Sequence, residues 1–373
     1  MNRIFLCLLT LLIGCAKKES DKNSIESIHI TEMFESRITL SRIAQIDSFK
    51  VINVGGFHDL GEVKYAFPFF GGWIIHSTSP AIVSLLNHRC EVTQQVVPDF
   101  RLGEITSIAV SDRKVFILDR TAKKIHQYND LLQWERTVVI PVFAQSFSIL
   151  RNGVVILYTG NEVTEYNQGK LVIYNMEDGM VLKDLIPVSE KLRKYFNFLT
   201  GYHFPESKGE IFFWDSAINN IYTVDEDGVQ LAYQLDYGAW SLPQKFYDEA
   251  DFDNAYDFVT KLRNQQYAFR HFRVLINDAF ILLTFEKGGD YLTSLFNRKT
   301  GHTITFSGLT DDIQFHQSLD DIKLIFFVNL YKQSSFIGFI PVELLANTEG
   351  GINPVNDVVP GNAVLVFGRF KTF

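Results

Sequence analysis

Val115-Phe116-Ile117-Leu118-Asp119-Arg120-Thr121-Ala122-Lys123-Lys124-Ile125-His126-Gln127-Tyr128-Asn129 runs as four apolar residues, an Asp, a short polar link and an apolar-led segment that ends on a turn residue. The layout returns in Ile211-Phe212-Phe213-Trp214-Asp215-Ser216-Ala217-Ile218-Asn219-Asn220-Ile221-Tyr222-Thr223-Val224-Asp225, and again from Trp73 to Asn87 with Ser77 in place of the Asp. The closing turn residues Asn87, Asn129, Asn175, Asp225 and Asn297 are separated by 42, 46, 50 and 72 positions. A unit of about 40 to 50 residues is the period of a propeller blade, a small sheet that must stack on its neighbours to bury its faces. The last separation exceeds that period, so an insertion lies between the fourth and fifth units. Apolar runs without alternation, such as Phe212-Phe213-Trp214, suit strands covered on both faces.

Working outward, the first two blades span residues 60–97 and 103–140. The third is carried by residues 154–158 and 170–175, and the fourth by the second quoted stretch. The fifth resumes at Phe272 and the sixth covers residues 313–341. Gly179 and Gly228 close Asp-Gly turns, where the absent Cβ permits the positive φ of a tight hairpin. Residues 237–271 form the insertion, in which Phe252, Ala255, Tyr256, Val259 and Leu262 fall at helical spacing and predict a helix of three turns. The fold class is therefore all-β, a six-bladed β-propeller with a short helical insertion between blades four and five. Apolar runs near residues 28–30 and 48–54 lack a blade's full complement, and residues 363–370 are strongly strand-like. The two ends are expected to share a blade, which closes the ring and hides an edge.

The chain opens with a basic Asn2-Arg3, ten largely apolar residues and then Leu12-Ile13-Gly14-Cys15. The apolar run is too short to span a bilayer and has the form of a signal peptide. The division is residues 1–14 as lipoprotein signal peptide, 15–26 as a lipidated flexible tether, and 27–373 as propeller. Cys15 is the candidate lipid anchor, and membrane attachment runs through the acyl chains it would carry. Of the three cysteines, Cys7 lies in the leader and Cys15 at the anchor. Cys90 is left without an intrachain disulfide partner and reads as a small buried hydrophobe. The formal charge of -8 without a basic cluster argues against a nucleic-acid partner.

The lipobox, the Asp119 and Asp215 strand endings, the Asp-Gly turns, the late insertion and the closing Ala363-Val364-Leu365-Val366 strand resemble the six-bladed β-propeller lipoproteins of Bacteroidetes, which are related in layout to NHL-repeat propellers. The resemblance covers nearly the whole chain after the leader. It implies an outer-membrane lipoprotein facing the periplasm or the cell surface, with the charged run Lys17-Lys18-Glu19-Ser20-Asp21-Lys22 similar to those associated with passage to the surface. Members often carry Gly-Pro-Gly-Glu-Tyr after an early blade, where this chain reads Val97-Pro98-Asp99-Phe100-Arg101-Leu102-Gly103-Glu104.

The histidines form no His-x-His or His-Glu-x-x-His pair, and no nucleophile elbow, phosphate loop or dinucleotide fingerprint occurs. No catalytic residue, metal ligand or cofactor is assigned. Asp119 and Asp215 occupy equivalent repeat positions, which favours a turn or inter-strand hydrogen-bonding role repeated by symmetry. The acidic run at residues 248–254 lacks the Gly and distal Glu of a calcium loop and suits a helix start. Tyr237, Trp240, Phe246 and Tyr247 cluster where the insertion leaves the ring, and rings with polar tips suit a protein or glycan partner. The functional expectation is a non-catalytic, lipid-anchored binding or scaffold module of the cell envelope. The alternative is a metal-dependent hydrolase or lyase, lactonase-like, with its site in the central channel.

Overall fold

A computed structural model describes residues 25–31, 33–151, 153–188, 193, 202–216, 218–243, 246, 252–310, 312–313, 327–341 and 363–373. The leader, Cys15 and the tether up to residue 24 lie outside the described residues, as do Tyr247 and most of the acidic run at 248–254.

Six antiparallel sheets of four strands succeed one another along the chain. Blade I comprises Val63–Phe69, Gly72–Thr78, Ala81–Leu86 and Val92–Val96. Blade II comprises Ser107–Ser111, Lys114–Asp119, Lys124–Tyr128 and Trp134–Val139. Blade III begins at Ser146–Arg151, a strand not assigned from the sequence, and continues through Val154–Tyr158, Gly169–Asn175 and Met180–Pro187. Blade IV contains Glu206–Ser207, Glu210–Trp214, Asn220–Val224 and Val229–Asp236. Blade V contains Ala268–Ile276, Phe280–Lys287, Asp290–Asn297 and Thr303–Phe306. It therefore starts four residues before Phe272, which shortens the insertion. Blade VI is assembled from both ends of the chain: Phe327–Tyr331, Ser335–Pro341 and Ala363–Phe370 are completed by Ala44–Ile52.

Alternation along each strand explains why the ring holds. In Lys114–Asp119, Val115 and Ile117 pack toward blade I while Phe116 and Leu118 pack toward blade III. In Val154–Tyr158, Val155 and Leu157 face blade II while Val154, Ile156 and Tyr158 face blade IV. Each junction between neighbouring blades, including that of blade VI with blade I, thus owns one apolar cluster. Both faces of every sheet are covered, which is why the strand sequences are continuously apolar.

Closure by the two ends is as expected from the sequence, Ala363↔Ile52 through Phe370↔Ala44 being antiparallel partners. The segment ahead of that strand does more. Glu26–His29 adds in parallel to the outer strand of blade IV, and Phe34–Glu35 adds in parallel to the outer strand of blade V. Ile38–Thr39 then pairs with Leu309–Thr310 beyond blade V. A belt of extended chain therefore covers the outer edges of two blades before closing a third.

The insertion carries a helix at Ala255–Asn264, about three turns as expected. Asn254 caps it, its side chain accepting from the amides of Tyr256 and Asp257. Phe258 and Leu262 supply its buried face, whereas Tyr256, assigned to that face from the sequence, is 79% exposed. Cys90 is buried as expected, although it sits in a turn at φ 62° rather than in a strand.

Candidate functional site

The first strands of neighbouring blades approach one another around the axis. Four of them are irregular where they do so. The pairing of blade I slips between Val63 and Tyr65, so Lys64 is an extra residue, and blade VI slips between Phe327 and Asn329. Blade III slips between Ile149 and Arg151, and blade V between Phe269 and Arg273. A bulge re-aims the side chains that follow it. Tyr65, Asn329 and Arg273 come together near the middle of the ring, whereas Arg151 is exposed and pairs with Glu226.

Tyr65 of blade I reaches the opposite side, where its hydroxyl accepts the Tyr202 amide at 2.5 Å at the approach to blade IV. The two rings lie 5.2 Å apart. Arg273 of blade V stands 5.8 Å from the Tyr65 ring and donates through Nη1 to the Phe327 carbonyl of blade VI at 2.5 Å. Tyr65 and Arg273 thus tie four blades together across the axis. Burial lowers the Arg273 pKa and raises that of Tyr65, and the contact between them partly offsets both effects. Lys64 also has its pKa lowered, by burial first and then by Arg273, with Glu62 opposing.

Where the first strands end lies a vestibule of about 400 Å³, within the usual range of small-ligand sites. Tyr65, Phe67, Tyr202 and Tyr331 supply aromatic surface, and Glu206 and Asn329 supply polar groups. Phe67 stands edge-on to Tyr202 at 5.6 Å. Asn329 is held by its Nδ2 donating to the Ala66 carbonyl at 2.7 Å. Glu206 is exposed on the cavity wall, and the protein around it removes enough hydration to raise its pKa. The Ser148 hydroxyl, donating to Glu206 Oε1 at 3.1 Å, opposes that shift. Such a cavity can hold a ligand end between rings and orient it with one carboxyl and one amide.

A second polar region lies between blades III and IV. Lys170 Nζ meets Asp215 Oδ2 at 2.6 Å, with both side chains 3% exposed. Asp215 also raises the Tyr158 pKa, after burial, and the Tyr158 ring lies 4.3 Å from that of His203. Asp119, at the equivalent repeat position, instead accepts the Gly103 amide at 2.8 Å and the Ala122 amide at 2.9 Å. The structural role expected for both aspartates holds: Asp119 fixes backbone, and Asp215 neutralises a buried ammonium. Lys170→Met leaves a carboxylate enclosed without its cation and is expected to cost about 3–5 kcal/mol in urea unfolding. Lys170→Met with Asp215→Leu should recover part of that loss. Equal losses in the single and double variants would show that the ion pair is not what matters there.

The four aromatic residues picked from the sequence do not form one exposed patch. Tyr237 is fully enclosed, hydrogen-bonded to His271 and packed edge-on against Phe285 at 5.0 Å. Phe246 packs with Phe252, Phe258 and Tyr267 in the small core of the insertion. Trp240 is partly exposed, with Phe34 of the belt 5.7 Å away and Lys287 Nζ 4.8 Å over its ring. Tyr247 lies outside the described residues. Conversely, Tyr65, Glu206 and Tyr331 were not singled out. Their signal was polar residues within the apolar first strands, Lys64, Glu206, Arg273 and Asn329 among them.

Among the described residues no three His, Cys, Asp or Glu side chains come together as a metal site. No helix among them is long and apolar enough to cross a membrane.

No curated protein matches the sequence. Among solved structures, a protein of Bacteroides fragilis NCTC 9343 provisionally described as exported superposes with a TM-score of 0.71 at 12% identity, covering 94% of this chain and 100% of its own. A member of the DUF4221 family from Bacteroides vulgatus ATCC 8482 superposes with a TM-score of 0.53 at 8% identity, covering 88% and 98%. At those identities the likeness is one of fold. The family "Domain of unknown function (DUF4934)" matches residues 104–354, well over half of the sequence and most of the ring, and the chain belongs to that family.

Proposed function

We propose that the protein is a lipid-anchored, extracytoplasmic binding module that takes the end of a glycan or protein chain into the vestibule. The carrying observation is the cavity itself, with aromatic side chains and amide and carboxyl groups in its wall. Rings that present flat apolar faces and polar tips suit sugar faces and peptide side chains alike. Lipid attachment is supported by Leu12-Ile13-Gly14-Cys15 at the end of a short apolar leader. Export is supported by the same leader and by the Bacteroides fragilis structure of like fold. Recognition is assigned to the vestibule in preference to the insertion, because Tyr237 is buried and Phe246 packs into the insertion's own small core.

The test is calorimetric titration of the detergent-solubilised full chain with panels of oligosaccharides and short peptides, native against Tyr331→Ala. Tyr331 is partly exposed and lines the cavity, so its loss should leave the fold intact and weaken binding about tenfold. Binding unaffected by Tyr331→Ala and by Phe67→Ala would place recognition elsewhere. The native chain should incorporate labelled palmitate in cells and Cys15→Ser should not, and equal labelling of the two would refute the anchor.

A further inference from the structure

Glu206 differs from the carboxylates that the ring holds in buried ion pairs. Asp215 has Lys170, and the buried Glu286 has Arg263. Among the described residues Glu206 accepts a hydrogen bond from the neutral Ser148 hydroxyl and forms no ion pair, and it lies in the same cavity as Tyr65, Phe67 and Tyr202. Those three rings touch one another, with centroids 5.2 to 6.2 Å apart. A carboxylate beside a group of π faces is the arrangement that receives a desolvated cation, because the ring quadrupoles and the carboxylate favour the same charge.

We infer that the vestibule selects ligands carrying a protonated amine, which Glu206 and the rings of Tyr65, Phe67 and Tyr202 receive. This deepens the binding reading above and rests on it. The surrounding charges shape the selection. Arg273 lies against Tyr65, engaged with the Phe327 carbonyl, and Lys64 precedes Tyr65 with Glu62 near both. Lys208 and Lys332 belong to turns at the cavity wall, and Asp278 is bonded to Ser207 at 3.0 Å. A ligand that is cationic throughout therefore meets repulsion at the wall, whereas a single amine on a neutral body does not. Glu206 also explains a pH dependence. Its pKa is raised in the unliganded protein, with Tyr202 the titratable neighbour that feels its charge. The amine binds the ionised carboxylate, so affinity falls as the pH drops through that raised pKa, and binding in that window releases a proton.

The experiment uses two scaffold pairs on the full chain in detergent: the glucosamine dimer against its N-acetylated dimer, and Nα-acetyl-lysine methylamide against its Nε-acetylated form. The amine form of at least one pair should bind about tenfold more tightly than its acetylated form, and the pair that does so identifies a sugar or a peptide source. Glu206→Gln should abolish the preference and the proton release, while Glu206→Asp should retain part of both. Equal binding of free and acetylated forms overturns the inference but leaves the vestibule as a binding site. A preference that survives Glu206→Gln, or no binding of any of the four probes to the native protein, overturns it as well.

Discussion

Between pH 7 and pH 4 the protein is expected to lose roughly 6 kcal/mol of stability through two imidazoles, His76 and His271, of which about 4 kcal/mol is gone by pH 5. His76 stands opposite Tyr65 in the pairing of blade I, is 1% exposed, and neither ring nitrogen has a hydrogen-bond partner. Burial, with Lys64 nearby, lowers its pKa to about 3. His271 is also 1% exposed, is bonded to the Tyr237 hydroxyl, and has its pKa lowered by burial to about 4. The unfolded chain takes up these protons near the ordinary histidine value while the folded chain refuses them. Stability is therefore independent of both rings above about pH 6.5 and falls as the pH drops toward their folded values. His126, also lowered mainly by burial, acts in the same sense, whereas the raised carboxyls of Glu206 and Glu26 act in the opposite one. Urea midpoints at pH 7, 6, 5 and 4 measure the loss. His76→Leu should remove about half of the pH dependence, and an unchanged pH profile in that variant would exclude His76 as its source.

The ring was legible in the sequence because its cause is periodic. Asp119 and Asp215 recur at one place in the unit, and the apolar runs before them must serve two junctions at once, so spacing and composition agree. The closing strand at residues 363–370 was legible for the same reason. What the sequence hid arises from contacts between distant positions. Tyr65 and Tyr202 are 137 residues apart, and nothing local to either announces a bond across the axis. The bulge at Lys64 that aims Tyr65 leaves no turn residue behind. Asp119 and Asp215 look alike in their own units, and nothing local announces that blade III places Lys170 beside the second. The aromatic group at the insertion was visible as composition. Its burial was not, because Tyr237 faces His271 and Phe285 from other strands, and Phe246 faces a helix whose apolar side falls on Phe258 rather than Tyr256. The parallel belt strands were the least visible, since two-residue pairings such as Phe34–Glu35 carry neither alternation nor a hairpin turn.

That belt is expected to decide whether the ring exists at all. A chain beginning at Asn53 loses the fourth strand of blade VI and exposes the edge of Ala363–Phe370, whose residues Ala363 to Val366 are at most 1% exposed when covered. Packing at that seam is close: a Cβ on Gly368 would lie 2.7 Å from the Gln45 carbonyl oxygen. The truncation also removes Ile28, Ile30, Ile38, Leu40, Ile43 and Ile52, none more than 2% exposed. At about 1.5–3 kcal/mol for each fully buried aliphatic side chain, the loss is roughly 9–18 kcal/mol. That equals or exceeds the whole stability of an ordinary fold, about 5–15 kcal/mol. A chain beginning at Leu40 keeps the closing strand and loses only the edges added to blades IV and V, so it should fold with a lower urea midpoint. The chain beginning at Asn53 should show no cooperative transition and should aggregate through its open edge. A cooperative transition at the native midpoint in the shorter chain would mean that blade VI is stable with three strands, and that the ring is held by the junctions between blades alone.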